Sequence, residues 1–176
     1  MMESTRRGMK EGLEFGLLAG LSLAAAQIAG TALGAVTLSD EPVSAVRMFA
    51  SVVLGRAALD TTSFGVALLV GGIAHLLLSA LFGLVYGLFA GQLPAQMLTN
   101  RRKQAWLGLC FGATLWLVNF QIIALILYPW LLRTSQLLQL MMHALFFGLP
   151  LALMFSAAEG RAHANHSTPA PVHTRV

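Results

Sequence analysis

From Phe64 to Phe89 the chain reads FGVALLVGGIAHLLLSALFGLVYGLF, a run with no acidic or basic carboxylate, ammonium or guanidinium group in it. At about 1.5 Å per residue, a helix over this run is long enough to cross a hydrocarbon core of about 30 Å. Lipid offers no hydrogen bonds, so a crossing segment satisfies its own backbone and folds as a helix. His75 is the one strongly polar side chain in the run. Gly71, His75, Ser79, Gly83, Gly87 and Gly91 recur at every fourth position, along one stripe. Small residues on a stripe let a second backbone approach, and a histidine among them faces protein and not lipid.

The remainder of the chain agrees with a membrane protein. Of its 176 residues 57% are hydrophobic and only 10% are charged, where a soluble domain carries about 25% charged residues. Such a chain lacks the polar surface to cover itself in water. The formal charge is +4, but the basic residues sit at the edges of apolar runs and form no single patch. That distribution excludes nucleic acid as a partner and fits membrane orientation. Cys110 is the single cysteine, so no intrachain disulfide forms.

Apolar runs predict four spans, at about residues 15–38, 64–89, 105–127 and 136–157. The expected fold is an all-α integral membrane four-helix bundle over residues 15–157. A polar segment, 1–14, precedes it, and a tail, 158–176, rich in polar residues and without apolar periodicity, reads as disordered. Arg6, Arg7 and Ala24-Ala25-Ala26 imitate a cleaved signal peptide, but Glu11 and Glu14 interrupt that pattern and the apolar run continues past the alanines. A retained first span is expected. Gly12, Gly16 and Gly20 give it a small-residue stripe of its own, as Gly71, Gly83, Gly87 and later Gly148 do elsewhere. Pro150 predicts a kink in the fourth span.

Between the first two spans, Asp40, Glu41 and Pro42 read as a helix start. Over residues 42–57, Val43, Val46, Phe49, Ala50, Val53 and Leu54 recur at helical spacing, with Ser44, Arg47 and Ser51 on the other side. The segment is too short to span, so it is expected as an amphipathic interfacial helix, on the surface or tucked against the bundle mouth. Asp60, Thr61 and Thr62 are the expected caps of the second span.

Lysines and arginines set the orientation. With the N-terminus inside, Arg6, Arg7, Lys10, Arg101, Arg102, Lys103, Arg161 and Arg175 lie on the inner side, and Arg47, Arg56 and Arg133 on the outer. Both termini are therefore expected in the cytoplasm. The two halves also echo each other. Gly12-Leu13-Glu14-Phe15-Gly16 resembles Gly108-Leu109-Cys110-Phe111-Gly112, and His75 and His143 are each followed by Phe-Gly. Such halves would be parallel repeats about an axis along the membrane normal.

His75 and His143 lie at similar depth in the outer half. Facing each other, they have three readings: axial ligands of a b-type haem, proton-carrying groups, or plain interhelical hydrogen bonds. With Ser79, Asn119, Gln121 and Gln139 they form the expected intramembrane polar cluster. Other polar groups within spans, including Gln27, read as interhelical glue. No charged residue sits mid-membrane, which argues against an ion-coupled pump. There is no Walker loop, HExxH or CxxC motif, and while His163, His166 and His173 in the tail could touch a metal, three histidines scattered on a floppy segment point to no particular site. No catalytic residue, metal or cofactor is implied.

In HLLLSALFGLVYG of the second span and HALFFGLPLAL of the fourth, the chain resembles small four-span bacterial inner-membrane proteins of unknown function. The resemblance implies that location and carries no activity. The expectation is thus a non-enzymatic structural, accessory or regulatory membrane protein, associating through its glycine stripes with a second copy or another membrane protein. A small transporter or channel-like subunit built on the polar cluster is the alternative.

Overall fold

The computed structural model describes residues 2–33 and 44–167, with side chains described for 5–33 and 45–162. Among these residues the fold is helical throughout. Four helices are long and apolar enough to cross a membrane. Span 1 is Met2–Ala32, span 2 is Phe64–Ala90 and span 3 is Arg101–Leu127. Span 4 begins with Gln136–Met141 and ends with Leu149–Ser167. A short helix, Ser44–Leu54, stands between spans 1 and 2. The chain is therefore an all-α, multi-pass membrane bundle. Leu69, Leu77, Trp106, Ile126 and Leu137 are each 64–72% exposed, an outward face suited to lipid and not to water.

Glycine decides how the helices meet. Gly8, Gly12 and Gly16 of span 1 lie against Gly87, Gly83 and Ser79 of span 2. A Cβ at Gly12 would sit 2.5 Å from the carbonyl oxygen of Gly83, and one at Gly16 would sit 2.7 Å from the Cα of Gly83. Spans 3 and 4 repeat the arrangement. A Cβ at Gly112 would sit 2.6 Å from the Cα of Ala144, and one at Gly148 would sit 2.8 Å from the amide nitrogen of Gly112. Close glycine contact thus recurs in both helix pairs. These stripes, expected to receive a partner protein, are occupied by the chain's own helices.

The halves join through side chains. Leu23, Tyr86, Leu115, Met142, Phe147, Leu151 and Phe155 form the central core, drawn from all four spans. At one end Arg7 pairs with Glu11 at 2.9 Å and with Glu159 at 2.8 Å, tying span 1 to span 4. Nearby, the fully buried Tyr86 hydroxyl donates to Oε1 of Gln104 at 2.8 Å. Burying that phenol and amide in lipid requires such a partner.

The short helix packs into the bundle. Gly71 lies under it, so close that a Cβ there would sit 2.8 Å from Ala50 N and from Val46 O. Arg47 donates to the carbonyls of Ala58 and Thr62 at 3.0 and 2.8 Å. Ser51, expected on the polar side, is instead buried and accepts from Trp130 Nε1 at 3.0 Å. The helix ends at Gly55, whose φ of +67° turns the chain through a region that side chains disfavour.

Several boundaries differ from expectation. Span 1 starts at Met2, because Gly8 and Gly12 continue the contact with span 2, so the polar segment 1–14 is largely helix. Residues 34–43, including the end of the predicted first span and the Asp40-Glu41-Pro42 start, lie outside the described residues. Ser63 is the N-cap position of span 2, while the hydroxyls of Thr61 and Thr62 turn back to the carbonyl of Ala57. The tail read as disordered remains helical to Ser167, held in part by Glu159. The side chains of His163 and His166, and the whole of His173, lie outside the described residues. Finally, the disturbance expected at Pro150 takes the form of a π-helical stretch just before it, Met142–Gly148.

Gly83→Ala places a methyl against the span 1 backbone and should lower stability by about 1–3 kcal/mol, the usual cost of overpacking. Gly72→Ala meets nothing within 4 Å and should change stability by no more than about 0.5 kcal/mol. Thermal melts of both variants in mild detergent test the contrast.

Candidate functional site

At the end of the bundle that carries the short helix, the spans part around a cavity of about 130 Å³. Two π-helical stretches border it: Leu117–Ile123 in span 3 and Met142–Gly148 in span 4. In a π turn the amide reaches back five residues, as Ala124 does to Asn119 and Leu149 to Ala144. The helix is locally wider there, a feature that recurs at functional sites. Asn119, Phe120 and Ile123 come to the cavity from the first stretch, and His143 and Phe147 from the second. The short helix and the turn after span 3 roof it with Met48, Phe49, Tyr128 and Leu131.

Most of the predicted cluster converges here. His75, Ser79, Asn119, Gln139 and His143 all line the cavity. His75 points inward, with Nε2 2.8 Å from the carbonyl oxygen of Gly20 in span 1 and its ring stacked on Phe49 at 4.4 Å. His143 places Nδ1 2.8 Å from the carbonyl of Gln139, one turn back in its own helix, and meets Phe120 edge-on at 5.5 Å. A carbonyl only accepts, so each of these nitrogens carries the proton. The tautomers are thereby fixed: Nδ1 of His75 and Nε2 of His143 hold the lone pairs.

Gln121 does not join the cluster. Its amide donates to Oε1 of Gln136 at 3.0 Å, away from the cavity lining, because equal depth does not imply equal facing. Gln27, read as ordinary glue, belongs in the site. Its Nε2 donates to Oε1 of Gln139 at 2.7 Å, and both residues are buried, at 1% and 0% exposure. The other two amide atoms, Gln27 Oε1 and Gln139 Nε2, are buried with no hydrogen-bond partner among the described residues. The spacing of three and four among Gln136, Gln139 and His143 signals a shared polar face in the sequence, and of these Gln139 and His143 reach the cavity while Gln136 pairs with Gln121. Nothing in the sequence signalled the π stretch at Leu117–Ile123.

The haem reading does not fit. His75 has Nε2 engaged with Gly20 and its ring face covered by Phe49. A space of about 130 Å³ is also well under the roughly 300 Å³ at which drug-sized ligand sites begin. Nor do Ser79 and His75 form a nucleophile and base. The Ser79 hydroxyl donates to the backbone carbonyl of His75 at 2.7 Å, an ordinary helical back-bond.

Removing one partner of the glutamine pair strands the other amide entirely. Gln139→Leu alone should cost about 1–3 kcal/mol, whereas the double variant Gln27→Leu with Gln139→Leu should recover most of that loss. A double-mutant cycle of thermal unfolding in detergent measures it. No family model, curated protein or solved structure matches the chain, so its function is argued from this geometry.

Proposed function

We propose that the protein is a non-enzymatic membrane protein of accessory or regulatory type, a four-span body with a blind cavity at its short-helix end. The observation that carries this reading is the close packing between this cavity and the terminal end, where a separate cavity of about 150 Å³ opens beside Arg7, Glu11 and Glu159. Gly8, Gly12 and Gly16 against Gly87, Gly83 and Ser79, and Gly108 and Gly112 against Gly148, bring backbones into contact below the cavity. Tyr86 and Gln104 fill the space between the halves there. That packing favours recognition over conduction, and so ranks the transporter or channel reading second. The engaged hydroxyl of Ser79 supports the absence of hydrolytic chemistry.

Location follows the same style of inference. We place the chain in a bacterial inner membrane on the resemblance of its second and fourth spans, with both termini cytoplasmic. The pairing of Arg7 with Glu159 supports a shared side for the two ends. The grouping of Arg6, Lys10, Arg101, Arg102 and Lys103 supports the cytoplasm as that side. A partner, whether a second copy or another membrane protein, meets the outward apolar faces, since the glycine stripes are covered.

The test is sidedness of access. With the exposed Cys110 replaced by serine, Asn119→Cys in sealed vesicles should react with a membrane-impermeant methanethiosulfonate from the short-helix side only. Reaction from both sides would establish a through-path and favour transport.

A further inference from the structure

We propose that a lateral window between spans 2 and 3 admits the end of one lipid acyl chain into the cavity. The inference names the ligand of the recognition site and rests on the reading of that cavity as closed toward the termini.

The first observation is the arrangement of the spans. Among the described residues span 1 packs along span 2, span 4 packs along span 3, and span 1 meets span 4, whereas spans 2 and 3 share no comparable backbone packing. Two bridges cross the gap between them. Toward the short helix, Phe49 stacks on His75 of span 2 at 4.4 Å, and Met48 clusters with Phe120 and Ala124 of span 3. Toward the termini, Tyr86 of span 2 meets Phe111 of span 3 at 5.1 Å and bonds Gln104 at 2.8 Å. From His75 to Tyr86 a helix rises about 16 Å, and this interval is the height of the window. Leu78, inside it, lines the cavity and is also 38% exposed. The cavity wall is outer surface there.

The second is depth. Leu78 stands near the middle of Phe64–Ala90, and a span of this length centres its middle residues in the hydrocarbon core. Its neighbours Leu77 and Leu81 belong to the exposed apolar face, so the window is continuous with the lipid-facing surface. At that level the bilayer offers acyl chains, while headgroups and water lie at its two faces.

The third is a layered lining. Gln27, His75, Asn119 and His143 border the cavity on its short-helix side, and one turn toward the termini from each lies an apolar lining residue: Leu23, Leu78, Leu115 and Phe147 respectively. Ser79, close to the apolar layer, spends its hydroxyl on the carbonyl of His75. Hydrocarbon entering past Leu78 therefore meets carbon, and the Asn119 amide stays on the side of the short-helix mouth. The volume of about 130 Å³ is close to the roughly 150 Å³ of an apolar cavity that accepts benzene. That is room for the end of one chain, but not for a helix about 10 Å across. An unfilled space of this kind forfeits dispersion contacts along its wall, and a chain end restores them.

The experiment is photolabelling of the full chain in phosphatidylcholine vesicles doped with a phosphatidylcholine that carries a diazirine at the end of one acyl chain, followed by peptide mapping. The terminal diazirine samples the bilayer centre, the level of Leu78. Adducts are expected at Leu115 and Phe147, 8% and 2% exposed, with yields comparable to those at the outward Leu77 and Leu81. None is expected at Leu151, which is 0% exposed and lies outside the cavity lining. In Leu78→Trp, whose indole narrows the window, the adducts at Leu115 and Phe147 should be lost and that at Leu81 retained. Adducts confined to outward residues, as a cavity filled by water, another segment of the chain or a second copy would give, overturn the proposal. So do equal yields at Leu151 and Phe147, or interior adducts that persist in Leu78→Trp. The comparison of Phe147 with Leu151 in the unaltered chain decides the matter even where the variant does not fold. Two-sided thiol labelling at Asn119→Cys would overturn the closed end without adding or removing an adduct at Phe147, so the two failures are told apart.

Discussion

Backbone-to-backbone contact at glycine is the interaction on which the rest of the bundle depends. In lipid no hydrophobic drive separates helix from solvent, and association rests on packing and on hydrogen bonds between helices. Gly12, Gly16, Gly83 and Gly87 let spans 1 and 2 touch along several turns, and Gly108, Gly112 and Gly148 do so for spans 3 and 4. The close approach also makes the cross-helix bond of His75 possible, since the carbonyl of Gly20 comes within reach of its ring. Polar chemistry in this protein is a consequence of close packing.

The two ends of the molecule use that packing differently. Toward the termini the helices stay close at the glycines, and Tyr86, Gln104, Phe15 and Phe155 pack between them, with Phe15 and Phe155 meeting edge to face at 5.1 Å above a polar cavity of about 150 Å³ beside Arg7, Glu11 and Glu159. Toward the short helix the spans part, and the gap is bordered by π turns and roofed by aromatic residues. Glycine spacing closes one half, whereas helix widening opens the other.

Much of this was legible in the sequence. Apolar length gave the four spans, the four-residue recurrence gave the packing stripes, and the lone histidine of span 2 correctly implied an inward face. What sequence could not supply was facing over distance. Gln27 and Gln139 are 112 residues apart, and nothing local in either marks the other as its partner. Gln121 was misplaced because a depth estimate carries no rotation, and the π stretch around it shifts the rotation further. Ser51 reads as polar surface until Trp130 is brought beside it. Span 1 reads as starting late because hydropathy scores the basic residues near Gly8 and not the glycine's contact.

The π turns also couple chain length to orientation. Each accommodates about one residue more than an α-turn would, without interrupting the helix. Deleting a single residue within Met142–Gly148 would let the ladder relax to α-helical form with the flanks facing as before, whereas winding the stretch into α-helix at full length would rotate one flank against the other by about 100°. With Gly148 pinned on Gly108 and Gly112, the flank that turns is the one bearing Gln139. Its amide would swing away from Gln27 toward the acyl chains. Register in span 4 is thus held by a local surplus of backbone, and winding that surplus into regular α-helix would erase the site while leaving its composition unchanged.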